Sequence, residues 1–429
     1  MSIVLGCIAD DLTGATDLAM ILVREGMKTV QIVGVPDENT PVPDADAIVV
    51  ALKSRTNPAS EAVEMSLASC DWLQKAGAKQ IFFKYCSTFD STSDGNIGPV
   101  CDALMDKLDC PVTIACPSFP ENGRTVYRGY LFVNDGLLSE SSLRNHPLTP
   151  MHDSNLRRVL AGQSKATVSN IFFEDVEKGS SAIATLLRMK NAERQIHIVD
   201  AMTDVHLKSI GTACVGLPLV TGGSAVAQGL PDNFRKAGLV PEGGISGSFH
   251  APESPSIVLS GSCSDTTLGQ VAYAKQHMPS FKVEALDILD GRPVKDDAVS
   301  WAEKYLRMGQ SVLFYSSADP ASVALIQEEQ GRLEIGSRIE KVLGDIGSHL
   351  MEIGVRRFVV AGGETSGAVI KALNVKIMEI GPQIDPGVPW TISVGETPLA
   401  LALKSGNFGA EDFFIKAISQ LNFVEEKMP

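Results

Sequence analysis

Short runs of Val, Ile, Leu and Phe alternate with helical patterns along the chain. SIVLGCIA (2–9), VQIVGV (30–35), DAIVVAL (46–52) and QIFFKYC (80–86) read as strands, and segments from about Thr13 to Glu25 and Glu61 to Ala76 read as helices. Near-continuous apolar strands are those buried on both faces, so the pattern predicts a mostly parallel sheet covered by helices. VTIACPSF (112–119) continues it, and RTVYRGYLFVND (124–135), with β-formers alternating around Arg128-Gly129, predicts a hairpin across the sheet end. Between Val240 and Ser256 the chain becomes rich in Gly and Pro and loses apolar periodicity, which marks a linker. Beyond it SIVLSGS, a helix near Thr266–Gln276, SVLFYSS, a helix near Ile335–Met351 and RFVVAGGETSGAVIKAL repeat the alternation. The expectation is an α/β protein of two α/β lobes, residues 1–245 and 246–429, with mostly parallel or mixed sheets and an active site in the inter-lobe cleft. A weak echo between LVTGGSAVAQGL (219–230) and VVAGGETSGAVIKAL (359–373) is what strand–Gly-Gly–helix turns produce in any α/β chain.

Charge narrows the partners. With 37 basic and 51 acidic residues among 429, the formal charge is −14, a background that repels nucleic acid and anionic membranes. An anionic small substrate then needs a local cluster of Lys and Arg. The eight cysteines form no CxxC pair and read as reduced thiols. The N-terminus enters a strand directly and no uncharged apolar run reaches membrane-spanning length, so the expected compartment is the cytoplasm. The seven histidines are isolated from one another and from Cys, which leaves no visible metal cage; Mg²⁺ carried by phosphates stays compatible. Homo-oligomerisation is left open by one sequence.

The candidate chemistry sits at strand ends. In IADDLTGATD, Asp10 and Asp11 follow a strand and precede a helix, at the edge where α/β folds place ligands. Helix capping by Asp11 or Thr13 accounts for one acid and not for two, because adjacent like charges need a cation or a donor hydroxyl between them. The order is not the D-x-D of haloacid-dehalogenase phosphatases, and on a continuing strand the two side chains would face opposite sides. Lys53 and Arg55, Lys84, and Arg124 close three other segments beside Ser, Thr or Asn, as a bound carboxylate requires. Ser87, Thr88, Ser91 and Thr92 read mainly as loop braces. The second lobe offers LSGSCSDTT (259–267), AGGETSG (361–367) and KSGNFG (404–409), Gly turns whose N–H groups and hydroxyls suit an anion, without a P-loop or a G-x-G-x-x-G fingerprint.

These segments, with LKSRTNP, FKYCSTFDST, DGNIGPV, NGRTVY, GYLFVND, NHPLTPM, DPGVPW and LALKSGNFGAEDFF, resemble the four-carbon acid sugar kinases in order over residues 3 to about 415. The run Lys84–Thr92 resembles the branch acting on 3-oxo-tetronates; threonate and erythronate kinases of the family usually carry Lys-x-Asp-Ser-Thr-x-Arg-Gly there. The resemblance implies an N-terminal substrate lobe, a C-terminal nucleotide lobe, ATP with Mg²⁺, and phosphorylation of the terminal hydroxyl of a four-carbon 3-oxo acid. On that basis Asp10 and Asp11 are the expected catalytic acids, one receiving or orienting the hydroxyl proton and the other holding Mg²⁺ or a second hydroxyl. Thr13, Arg55, Lys84, Ser87, Asp90 and Arg124 are the expected substrate contacts. Ser260, Gly261, Ser262, Gly362, Gly363, Glu364, Thr365, Ser366 and Gly406 are expected to hold ATP, with closure about Val240–Ser256. Two other classes remain: a phosphatase with Asp10 as nucleophile, and a non-catalytic sugar-acid binding protein.

Overall fold

The computed structural model describes residues 3–145, 149–189, 193–242, 249–316 and 332–425, and the chain divides into two compact units, Met1–Ser246 and Gly247–Pro429. Residues 243–248 of the expected linker, and residues 146–148 of the NHPLTPM segment with His146, lie outside the described residues.

In the first unit, β1 (Leu5–Ala9), β2 (Thr29–Val33), β3 (Ala47–Ala51), β4 (Gln80–Lys84) and β5 (Val112–Cys116) join β9 (Thr167–Ile171), β10 (Gln195–Val199) and β11 (Leu219–Gly222). Their order is β2-β3-β1-β4-β11-β5-β10-β9, and every pairing is parallel. All eight carboxyl ends therefore share one edge. Every residue of β1, β3 and β4 is buried, which explains their unbroken apolar sequence. Each such Leu, Ile, Val or Phe contributes about 1.5–3 kcal/mol by leaving water. The helix Leu12–Arg24 begins as soon as β1 ends, and Ala15 and the run Leu18–Leu22 bury it against the sheet.

The expected hairpin forms a separate antiparallel sheet of β6 (Arg124–Tyr127), β7 (Tyr130–Val133) and β8 (Gly136–Leu137). Its turn places Arg128 and Gly129 at φ 54° and 74°. The Asp200 carboxylate at the end of β10 fixes that turn by accepting from the N–H groups of Arg128, Gly129 and Phe173 at 2.8, 2.8 and 2.9 Å.

The second unit orders β13 (Ser280–Lys282), β14 (Val312–Tyr315), β12 (Ser256–Ser260), β15 (Arg357–Ala361), β18 (Ala400–Lys404), β17 (Val388–Ser393) and β16 (Ile377–Asp385) side by side. The first five pair in parallel, and β17 pairs antiparallel with both β18 and β16, so this sheet is mixed. Trp390 is fully buried among Phe413, Phe414 and Ala417 and donates its indole N–H to the Ala417 carbonyl at 3.2 Å. Ser260, Ala361 and Lys404 pair in one row across β12, β15 and β18, so the three Gly turns leave the sheet side by side. Among the described residues no helix is long and apolar enough to cross a membrane.

Candidate active site

β1 ends at Ala9, and this decides how the two adjacent acids point. Ala9 pairs with Ala51 and with Lys84, so the segments after β1, β3 and β4 start from one row. Asp11 is extended, at φ −149°, and caps the following helix by accepting from Gly14 N–H at 3.2 Å. Its other partners are the Thr13 hydroxyl at 2.7 Å and the ammonium of Lys84 at 3.4 Å. Arg55 reaches both acids. Its Nε and Nη2 take the Asp10 carboxylate in a fork, 2.8 Å each, and Nη2 also meets Asp11 Oδ1 at 2.5 Å. The strand stops at Ala9, before the two acids, so the opposite facing expected on a continuing strand does not apply and both carboxylates meet Arg55. The cations that answer the two like charges are Arg55 and Lys84, and both oxygens of Asp11 are taken by donors.

The electrostatics follow from this closure. Burial works against the charge of Asp11, yet Arg55, Lys84, the Thr13 hydroxyl and Gly14 N–H hold its carboxyl well below the usual carboxylate range. Burial raises Asp10, with Arg55 and Lys84 pulling against it and the Asp11 charge adding to it. Burial disfavours the Lys84 ammonium, but Asp11 and Asp10 raise its pKa above the ordinary value. Gly14 permits the approach, since a Cβ there would overlap the Lys84 ammonium and the Asp11 carboxylate.

Arg124 enters from the β6 side. It is half-buried and donates from Nη1 to the Asn122 carbonyl, while its Nε has no partner among the described residues. Burial lowers its pKa, with Cys86, Asp90 and Asp17 opposing from nearby. Asp90 accepts from the Thr88 hydroxyl at 2.6 Å and lies 3.7 Å from Arg55 Nη1. Ser87 is half-buried on the same loop, and burial pushes the neighbouring Cys86 thiol up to about 11, which makes it a poor nucleophile. Lys53 is exposed. Asn96 braces the Arg55 loop by donating to the carbonyls of Ser54, Arg55 and Asn57 at 2.6, 3.1 and 2.9 Å.

Asp17, which the sequence reading did not single out, belongs to the same end of the sheet. It is 4% exposed, accepts from the Ser224 hydroxyl beyond β11, and leaves Oδ1 without a partner among the described residues. Burial pushes its carboxyl up to about 6, against the pull of Ser224 and Lys84. The signal was present as an acid inside the otherwise apolar run ATDLAMIL.

In the second unit Gly261 and Gly362 both close on Thr365: a Cβ on Gly261 would overlap its hydroxyl, and one on Gly362, at φ 120°, would lie 2.9 Å from it. A Cβ on Gly406 would lie 2.6 Å from Ser262 Oγ. Ser264 caps the helix Asp265–Ala274 and donates to the Gly406 carbonyl at 2.6 Å. Ser260, Thr365 and Ser366 are buried, the Ser366 hydroxyl without a partner among the described residues, whereas Gly363 and Glu364 are exposed in the first turn of the helix Gly363–Ala372. The expected nucleotide residues thus gather at the ends of β12, β15 and β18, around a backbone too close for side chains. That cradle, with an orphaned hydroxyl and two helix N-termini, fits a phosphate chain.

A sugar-binding N-terminal domain model matches residues 5–230 and a nucleotide-binding C-terminal domain model matches residues 257–414. A Pseudomonas savastanoi pv. phaseolicola protein is 52% identical over 420 residues, and a Burkholderia multivorans protein 52% identical over 419, each match covering 97% of both chains; both relatives are named 3-oxo-tetronate kinase. The crystal structure of a Salmonella typhimurium LT2 protein, described under a provisional tRNA synthase name, superposes with a TM-score of 0.85 at 41% identity, over 96% of this chain and 98% of that one.

Proposed function

Because this chain belongs to the four-carbon acid sugar kinase family, we propose that it transfers the γ-phosphoryl group of ATP to the C4 hydroxyl of a 3-oxo-tetronate. The activity is ATP-dependent 3-oxo-tetronate phosphorylation, giving the 4-phosphate and ADP. The observation that carries it is identity of 52% over 97% of both chains with proteins of that name. The first unit takes the sugar acid and the second the nucleotide.

The residues fit these roles. Arg55 and Lys84 are balanced by Asp10 and Asp11, so the charge left to answer the C1 carboxylate is that of Arg124, whose Nε lacks a partner among the described residues. Thr13, Ser87 and Asp90 line the same end and serve the hydroxyl and keto oxygens. Asp11 already receives four hydrogen bonds and anchors the two cations. Asp10 receives two side-chain bonds, both from Arg55, and keeps lone pairs that orient the C4 hydroxyl or take its proton. As the O4–Pγ bond forms and the bond from Pγ to the β-phosphate oxygen breaks, the electron pair leaves with ADP and the O4 proton passes to a carboxylate. Little base strength is needed in so loose a transition state. Mg²⁺ enters with ATP as part of that substrate. ATP use and eight free cysteines suit the cytoplasm.

ADP release with Mg-ATP, measured against D- and L-threonate, D- and L-erythronate and their 3-oxo forms, tests the reading. Turnover confined to a 3-oxo acid is expected. Preference for the reduced acids would move the chain to the threonate/erythronate kinases. Phosphatase activity without ATP, or acid binding without ADP release, would remove it from the kinases.

A further inference from the structure

Lys404 is the last residue of β18 and is fully buried. Its ammonium donates to Thr267 Oγ1 at 3.0 Å and to the carbonyls of Ser405 and Gly406 at 2.9 and 3.0 Å. The Thr267 hydroxyl in turn donates to the Gly406 carbonyl at 2.8 Å. Three acceptors occupy three N–H bonds, so this geometry is that of the charged form.

No carboxylate lies within ion-pair distance of it among the described residues. The acids on the surrounding elements are otherwise placed. Asp265 and Glu364 are exposed in the first turns of their helices, and Asp385 is taken by Lys416 and by Ala410 N–H. Lys84 makes the contrast. It too ends a strand in the row from which its site begins, but it faces Asp11. A buried, uncompensated cation is destabilising until an anion answers it.

We propose that Lys404 answers the phosphate charge of the bound nucleotide, as a positioning residue acting through Thr267 and the Gly406 turn rather than by direct contact. The proposal rests on the assignment of the nucleotide to this unit. Burial alone pulls the Lys404 pKa down to about 7. A phosphate nearby raises it again, so above neutrality nucleotide binding takes up a proton, and affinity falls as pH rises from about 7.

The test is calorimetric titration of the full chain with adenosine, Mg-ADP and Mg-ATP between pH 6.5 and 9, for the natural protein and for Lys404→Met and Lys404→Arg. Lys404→Met should weaken Mg-ADP by about tenfold or more, the loss of roughly 1.4 kcal/mol or more, leave adenosine within about twofold, and flatten the pH dependence. Lys404→Arg should retain the phosphate preference without the neutral-range titration. Mg-ADP affinity and pH profile unchanged in Lys404→Met would overturn the proposal, as would an equal loss of adenosine and Mg-ADP, the mark of a purely structural brace. Should Lys404→Met not fold, the natural protein still decides: absence of proton uptake between pH 7.5 and 8.5, compared across buffers of different ionisation enthalpy, sinks the idea. If the natural protein binds no nucleotide, the assignment of the unit fails instead.

Discussion

Three carboxylates stand at one end of the first sheet, and their surroundings give them different work. Asp11 is saturated by donors, Asp10 is forked to Arg55 with lone pairs to spare, and Asp17 holds a proton affinity near 6. Asp10→Asn keeps the shape and removes the charge, so kcat should fall by about 10²–10⁴, while Asp11→Asn should act mainly on KM by releasing Arg55 and Lys84. Steady-state kinetics of the pair separate these outcomes. If Asp10→Asn retains kcat within tenfold and Asp17→Asn does not, the proton goes to Asp17. Asp17 also carries a stability signature. Its folded pKa, about 6 against 3.8, means that the native state binds more protons between those values, so this group's contribution to stability falls as pH rises through that window. Replacement by Asn should therefore stabilise the protein at pH 8 by about 2–3 kcal/mol and leave it unchanged near pH 4. Thermal melts at both pH values check this. A loss at pH 8 would mean that the ionised carboxylate is a net structural asset. The sequence made the Asp10-Asp11 pair readable because capping accounts for only one acid. Asp17 was not readable in the same way, since its raised pKa depends on burial and on Ser224, more than 200 residues away in the chain.

At the scale of elements, the strands with buried faces were legible from their apolar runs, and the hairpin from Arg128-Gly129, whose positive φ values the turn requires. The antiparallel pair β16 and β17 was not, because β16 is mostly half-buried or exposed rather than a continuous apolar run, and its register with β17 shifts twice between Ile380 and Asp385. Nor was the end of β1, and one residue more of strand would have turned Asp11 away from Arg55. Gly14 shows an element yielding to the site. In an exposed helix interior Ala would be favoured there by about 1 kcal/mol. Here its methyl would displace the Lys84 ammonium from Asp11. Gly14→Ala should accordingly raise KM for the sugar acid by about tenfold, a loss near 1.4 kcal/mol, with the circular dichroism of the fold retained and nucleotide affinity unaltered. An unchanged KM would show that Lys84 finds an equivalent place.

Across the whole molecule, a charge of −14 surrounds two sites that must each accept an anion. Arg124 lacks an ion-pair partner within 4 Å among the described residues, so it keeps a positive charge to offer a carboxylate. Arg124→Met should raise KM for the 3-oxo acid by about 100-fold, roughly the 2.7 kcal/mol of a lost charge-assisted contact, and leave Mg-ADP binding within about twofold. Ionic strength separates the local charge from the background. Salt at 0.1 M screens exposed charges beyond about 10 Å but reaches a half-buried guanidinium far less. The long-range repulsion of the acid should thus weaken first, so kcat/KM of the natural protein should rise as salt increases from 10 to 150 mM, at constant Mg-ATP. A steep fall would instead reveal a cationic funnel leading to the site, and the charge of Arg124 would then be only the last member of a wider attraction.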